Sequence, residues 1–207
     1  MLKIVSSQFV KSAVKKDDYP SFPYVEFAFF GRSNAGKSSL INFILNRKNL
    51  VKVSSTPGKT QSVNFFLIEG TTGQSSSASS VQKTSFILSD LPGYGYASLN
   101  KSLIKDIEAM LYEYCTNRTM LKQIFLLLDI RREEVGVEKN ILRFFQETGV
   151  KVSVVATKVD KIAKTKIKSA IDRIKKDLDM QSIVIVPTST TKKYGRDELL
   201  SLIEREL

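Results

Sequence analysis

Gly31-Arg32-Ser33-Asn34-Ala35-Gly36-Lys37-Ser38 spells G-x-x-x-x-G-K-[ST], the pattern of a loop that cradles phosphates. Before it runs Tyr24-Val25-Glu26-Phe27-Ala28-Phe29-Phe30, an apolar stretch of buried-strand type. After it, Ser39-Leu40-Ile41-Asn42-Phe43-Ile44-Leu45 has the pattern of a helix start. A strand, a tight Gly-containing turn and a helix aim several backbone N–H groups and a helix dipole at one point, which is what a polyphosphate requires. Lys37 is then placed to reach the β- and γ-phosphates, and the Ser38 hydroxyl to ligate Mg2+. The competing reading is a chance match in a turn, and the flanking strand and helix weigh against it. ATP and GTP both remain open at this point.

The base is read further along. Val152-Ser153-Val154-Val155-Ala156 is a second short β-branched strand, and it runs into Thr157-Lys158-Val159-Asp160, the [N/T]-K-x-D form. A carboxylate at Asp160 accepts two hydrogen bonds from the N1–H and exocyclic amine of guanine. Adenine offers no such donor pair, and a buried acceptor left unpaired costs roughly 1–3 kcal/mol. Lys158 would lay its aliphatic stem on the base. Thr157 stands where Asn is more usual, keeping a hydroxyl for the loop but losing an amide.

Between these motifs lies Phe86-Ile87-Leu88-Ser89-Asp90-Leu91-Pro92-Gly93, an apolar strand ending in D-x-P-G. Asp90 would hold Mg2+ through a water, and the Gly93 amide would bond the γ-phosphate, so that this loop senses whether that phosphate is present. Taken alone, D-x-P-G is also an ordinary turn. Thr60, in Ser55-Thr56-Pro57-Gly58-Lys59-Thr60-Gln61, is the candidate switch threonine, with its hydroxyl on Mg2+ and its amide on the γ-phosphate. Gly58, Lys59, Gln61 and Ser62 flank it. Ile183-Val184-Ile185-Val186-Pro187-Thr188-Ser189-Thr190 is a strand whose end can place backbone N–H groups on the guanine O6, or else a plain strand end.

The set resembles the EngB/YihA/YsxC family of small bacterial GTPases. The resemblance extends beyond the general GTPase motifs to Gly31 through Asn42, to Ser54 through Gln61 followed by Asn64-Phe65-Phe66, and to Asp90-Leu91-Pro92-Gly93-Tyr94-Gly95-Tyr96-Ala97. Ser12-Ala13, Pro20 and the tail Gly195-x-Asp197-Glu198-Leu199 are similar too. The departures are the stretch from Gly70 to Lys83 and Thr188, which replaces an apolar residue common in the family. The resemblance implies a Ras-like P-loop GTPase fold, with GTP/GDP and Mg2+ bound. Gly31, Arg32, Ser33, Asn34, Ala35, Gly36, Lys37 and Ser38 would line the phosphates with Leu91, Pro92 and Gly93. Thr157, Lys158, Val159, Asp160, Thr188, Ser189 and Thr190 would line the base, and Ser38, Thr60 and Asp90 the metal. It also implies a switch acting on the large (50S) ribosomal subunit precursor, with rRNA and ribosomal proteins as partners, and a link to cell division. A nucleotide-gated protein acting directly in the division septum is the alternative. A P-loop kinase is disfavoured by the absence of a basic lid.

Catalysis would rest on Lys37, Thr60, Gly93 and Asn34. Tyr94 occupies the position where Ras-like GTPases carry the Gln that orients water, and no arginine is evidently placed in cis, so slow intrinsic hydrolysis is expected. In potassium-using GTPases an Asn at the place of Asn34 holds K+; here it would do that or merely shape the loop.

Composition narrows the rest. The 207 residues have room for one α/β domain. No stretch approaches the roughly 20 apolar residues of a membrane span, so none is expected. The start, Met1-Leu2-Lys3-Ile4-Val5, lacks a signal-peptide core. The single cysteine, Cys115, suits a reducing cytoplasm, and with no histidine, His-based acid–base catalysis is excluded. A monomer is expected.

Strands are expected near 24–30, 63–69, 84–90, 123–130, 151–157 and 182–187, with helices near 37–47, 100–115, 136–148, 160–179 and 196–206. That alternation predicts a mostly parallel six-stranded sheet with helices on both faces and ligand at the carboxyl ends of the strands. Residues 1–22 form a lead-in arm carrying Phe9 and Val10, and residues 23–207 the main domain. Within it, the Ser-rich segment at 71–83 reads as a flexible extension between two antiparallel strands. The net charge is +11, and Lys158–Lys176 alone carries eight basic residues against two acidic ones. Lys161, Lys164, Lys168 and Lys175 would line one flank of a helix whose stripe of Ile167, Ala170, Ile171, Ile174 and Leu178 faces inward. Such a ridge suits RNA phosphates, or is simply a solvated helix face.

Overall fold

Alternation along one strand organises the molecule. In β2 (Glu26–Gly31) Phe27 and Phe29 point to one face of the sheet and Ala28 and Phe30 to the other, and all are buried. A strand apolar on both faces has to lie inside a sheet covered on both sides. The computed structural model describes residues 1–48, 50–51, 62–73, 81–94 and 101–207, with the side chains of 101–108 excepted. The other strands are β1 (Lys3–Ala13), β3 (Val63–Thr72), β4 (Gln82–Asp90), β5 (Leu121–Asp129), β6 (Lys151–Thr157) and β7 (Ile185–Pro187). They form one seven-stranded sheet in the order β1-β3-β4-β2-β5-β6-β7. From β4 to β7 neighbours are parallel, while β1–β3 and β3–β4 are antiparallel.

Helices cover both faces. On the side of Phe27 and Phe29, α1 (Lys37–Ile44) contributes Leu40, Ile41 and Ile44, and α5 (Arg196–Glu204) contributes Leu199, Leu200 and Ile203. On the other side lie Leu111 and Tyr114 of α2 (Lys101–Asn117), Leu142 and Phe145 of α3 (Gly136–Glu147), and Ile174 and Leu178 of α4 (Ile167–Leu178). At the amino end of β2 the buried Glu26 accepts hydrogen bonds from Ser89, Tyr114 and Arg118, with Arg118 Nε at 2.9 Å. A charge buried at 0% exposure is tolerated only when paired in this way, and the network ties the end of α2 to the sheet.

Five expectations are corrected. The sheet has seven strands rather than six, because the lead-in arm is itself an edge strand, β1, paired with β3. Its pairing slips twice, between Ile4 and Ser6 and between Phe9 and Lys11, so no clean two-residue alternation marks it. The 71–83 segment is not all flexible loop: Thr71 pairs with Lys83 and Thr72 with Gln82, so the hairpin ladder runs into it, and residues 74–80 lie outside those described. The helix expected at 160–179 begins only at Ile167, preceded by 3-10 turns at Val159–Lys161 and Lys164–Lys166. Finally, β7 is limited to Ile185–Pro187, and α1 stops at Ile44, where Arg196 Nε caps the carbonyls of Phe43 and Ile44 at 3.2 and 3.0 Å.

Candidate nucleotide site

The loop after β2 turns sharply. Asn34 has φ 65° and Gly36 φ 92°, and Gly36 sits as the N-cap of α1. The left-handed backbone at Gly36 directs the first N–H groups of α1 back toward the loop, and a side chain there would be strained. The loop is laced to the β4 end: Ser33 N donates to Tyr94 O at 2.7 Å, and Tyr94 N to Gly31 O at 3.3 Å. Leu91 N bonds Phe29 O at 3.0 Å, which sets Pro92 and Gly93 alongside the loop.

Lys37 Nζ is paired directly with Asp90, whose other oxygen accepts from Asn64 Nδ2 at 3.4 Å. Asn64 is in turn held by the Ser12 hydroxyl of β1. The lysine expected at the phosphates and the carboxylate expected at the metal thus lie side by side with the Gly-containing loop around them. This donor set fits an anion and a hard cation bound together. Ser38 is at the start of α1, in the same turn as Lys37.

At the far end of the loop, Thr157 Oγ1 donates to Ala35 O at 2.8 Å and is buried, so this hydroxyl ties the two loops together rather than touching a base. Lys158, at φ 59°, donates from Nζ to Asn34 O at 2.7 Å and lies 3.1 Å from Asp129 Oδ2. Asp160 Oδ1 accepts from Ser189 Oγ at 2.6 Å, and this hydrogen bond is the main cause holding its carboxyl below the usual range. One carboxylate oxygen is therefore oriented by protein, and the group stays ionised and ready to accept. Val159 N bonds Thr188 O at 3.1 Å, joining the two base-side loops.

The β7 end narrows the expectation for the guanine O6. Thr188 N already donates to Ala156 O at 2.7 Å and Ser189 N to Tyr194 O at 3.1 Å, so neither amide is free for a base. Of the three residues named there, Thr190 is the remaining amide candidate, while Ser189 acts through its hydroxyl. The turn closes at Gly195, φ 83°, where an added Cβ would overlap the carbonyl oxygen of Pro187.

Tyr94 is not at the site through its side chain. Its ring packs on Phe30 at 5.2 Å, its hydroxyl donates to the buried Glu138 at 2.9 Å, and burial pushes that hydroxyl far above its ordinary pKa. Gly58, Lys59, Thr60 and Gln61, together with Gly95-Tyr96-Ala97, lie outside the described residues; Ser62 immediately precedes β3. Sequence reasoning passed over Asp129 and Glu138, and placed Asn64 only within the family pattern without giving it a part in the site. Asp129 carried a signal, an acidic residue closing an apolar strand next to the T-K-x-D strand. Glu138 carried none. Among the described residues no cluster of three His, Cys, Asp or Glu forms a preassembled metal site, and no helix is long and apolar enough to cross a membrane.

A phosphate loop bonded at one end to the strand of a metal-type aspartate, and at the other to a turn presenting an ionised carboxylate for a base, defines a class: a GTPase of Ras-like fold. A family model described as 50S ribosome-binding GTPase matches residues 26–158. The probable GTP-binding protein EngB of Treponema denticola is 45% identical over 218 aligned residues, covering 100% of both chains. That of Clostridioides difficile is 40% identical over 96% of this chain and 91% of its own. The chain belongs to the EngB family of GTP-binding proteins, and its enzyme class is GTPase. A crystal structure of a probable GTP-binding protein EngB has the same fold at TM-score 0.65 and 21% identity, covering 88% of this chain and 98% of that one. Era in complex with MgGDPNP and nucleotides 1506-1542 of 16S ribosomal RNA superposes at TM-score 0.61 and 25% identity, over 89% of this chain and 57% of that one.

Proposed function

We propose that this GTPase is a switch in assembly of the large ribosomal subunit: its GTP form docks on a precursor particle, and hydrolysis releases it. The observation that carries the reading is the exposed basic stretch Lys161, Lys164, Lys166 and Lys168, which follows directly on the guanine-side residues Lys158 and Asp160. The match to a model described as ribosome-binding, and the ribosomal RNA in the Era complex, support it.

In this reading Lys37 and the loop amides from Gly31 to Ser38 bind the β- and γ-phosphates. Ser38 and Asp90, with Thr60, hold Mg2+, and Gly93 contributes an amide to the γ-phosphate. Mg2+ held by these residues would supply positive charge that offsets the negative charge developing on the phosphates. Lys37 leaves Asp90 for the nucleotide, which frees the carboxylate for the metal side. Asp160 reads guanine, Lys158 covers the base, and Thr157 keeps the base loop and phosphate loop in register. Tyr94, locked in the core against Glu138, cannot orient a water, so the free protein turns over slowly. K+ held by Asn34 would supply part of the missing charge. The setting is cytoplasmic and the working unit a monomer.

Cosedimentation with ribosomal particles, with a nonhydrolysable GTP analogue against GDP, tests the reading. Large-subunit precursors should retain the protein with the analogue and lose it with GDP. Equal absence from particles in both states would overturn the assembly role and favour a protein partner, such as one in the division septum.

A further inference from the structure

Arg131, Asp129, Lys158 and the backbone of Asn34 form a chain of contacts from the surface to the base side of the site. Asp129 closes β5 opposite Thr157 of β6. Its Oδ1 accepts from the Arg131 amide at 3.1 Å and from Arg131 Nε at 2.9 Å, while Oδ2 accepts from the Arg131 guanidinium at 2.7 Å. Oδ2 also faces Lys158 Nζ at 3.1 Å. The carboxylate is mostly covered, at 13% exposure, whereas Arg131 is half exposed. A lysine carries a flexible four-carbon stem whose ordering costs entropy, and Lys158 is held at its tip from two sides, by the Asn34 carbonyl and by this carboxylate. Without the carboxylate one anchor is lost and the stem is free to leave the base. The T-K-x-D motif does not contain this anchor.

We propose that Asp129 is a positioning residue for Lys158 on the guanine base, and that Arg131, bonded to the same carboxylate, competes with Lys158 for it. This rests on the guanine reading of Lys158 and Asp160. Lys158 is the group that touches the nucleotide, and Asp129 acts through it. Removing the rival should strengthen the Asp129–Lys158 pair, and removing the carboxylate should abolish it.

The test is release of a fluorescent GDP analogue from the full chain, followed by stopped flow, with thermal unfolding of the nucleotide-free protein alongside. Asp129→Asn should speed release about tenfold, the scale of one charged hydrogen bond, and Asp129→Glu should restore most of the difference. Arg131→Gln should slow release about twofold or more. In a Lys158→Ala background Asp129→Asn should add less than about twofold, because the group it acts through is gone. A full additional effect in that background, or unchanged release in Asp129→Asn, overturns the positioning role. Faster release in Arg131→Gln overturns the competition, and that variant keeps the idea testable if Asp129→Asn folds poorly. Asp160→Asn, measured in parallel, separates the two failures: wild-type release there refutes the guanine reading, whereas fast release there with unchanged Asp129→Asn refutes this inference alone.

Discussion

Two carboxylates in this protein are held ionised for different ends, and each predicts a measurable change. Asp160 has one oxygen engaged by Ser189 and the other turned toward Lys161 at 3.8 Å. Asp160→Asn would set an amide against the guanine N1–H and amine, weakening GTP on the order of 10–100-fold and relaxing the rejection of xanthine nucleotides. Titration with both nucleotides checks it, and wild-type GTP affinity would remove Asp160 from base reading. At Asp129 burial by itself would raise the carboxyl, but hydrogen bonds from Arg131 and Lys158 outweigh it and hold the value at about 2. Because this lies below the unfolded value of about 3.9, the ionised group stabilises the folded chain fully above about pH 4. That contribution is lost as pH falls toward 2. The gap in melting temperature between wild type and Asp129→Asn should therefore stay constant from pH 7 to about pH 5 and shrink below about pH 4. A gap that widens on acidification would contradict the pairing.

At the scale of elements, the short turn between β7 and α5 does more than connect them. Ser189 and Tyr194 exchange backbone hydrogen bonds at 3.1 and 2.9 Å, and Gly195 closes the turn against Pro187. Gly195→Ala forces a left-handed backbone on a residue with a Cβ and drives that Cβ into a carbonyl oxygen. A loss of stability on the order of 2 kcal/mol or more is expected in urea unfolding, with weaker nucleotide binding because Ser189 no longer orients Asp160. A variant as stable as wild type would show that the turn yields cheaply. The basic stretch is likewise not one uniform helix: Lys161 belongs to the turn that carries Asp160, while Lys164 and Lys166 lie in the next turn and Lys168 in α4. Reversing Lys161 would place a negative charge beside Asp160, whose Oδ2 it faces at 3.8 Å, so Lys161 is not simply one residue of a basic ridge. The clean variant changes Lys164, Lys166 and Lys168 to Glu and spares Lys161. It should bind GDP normally, lose affinity for ribosomal particles, and flatten the salt dependence by about two counterions or more. Unchanged cosedimentation across a salt series would return the stretch to a solvated surface.

For the molecule as a whole, hydrolysis has to be supported by something other than the Tyr94 side chain, which is turned into the core against Glu138. The free protein should turn over near the roughly 10⁻⁴ s⁻¹ scale of unassisted small GTPases. If Asn34 holds a monovalent ion, replacing Na+ by K+ at constant ionic strength should raise the rate several-fold. Asn34→Ala should erase the difference while sparing GDP binding, since the ion matters most as charge develops between the phosphates. Equal rates in the two salts would leave stimulation by the ribosomal partner as the better account.

Phosphate loop, D-x-P-G strand end and T-K-x-D turn are legible in the sequence, because each is a contiguous stretch whose chemistry depends on local backbone shape. The alternation of strand and helix was legible for the same reason, since apolar period follows local geometry. What the chain order could not disclose were the relations between distant segments. That residues 1–22 contain a seventh strand depends on an edge pairing with β3 through two slips in register. That Tyr94 turns into the core depends on Glu138 of α3 waiting there. That Thr188 and Ser189 have no amide to spare depends on Ala156 and Tyr194. Asp129 acquires a role only because β5 lies beside β6, which brings its carboxylate to a lysine that follows it by nearly thirty residues in the chain. Local sequence determined the chemistry this protein carries. Only the tertiary structure decided which side chains hold that chemistry in place, because hydrogen bonds and ion pairs form between neighbours in space whatever their separation along the chain.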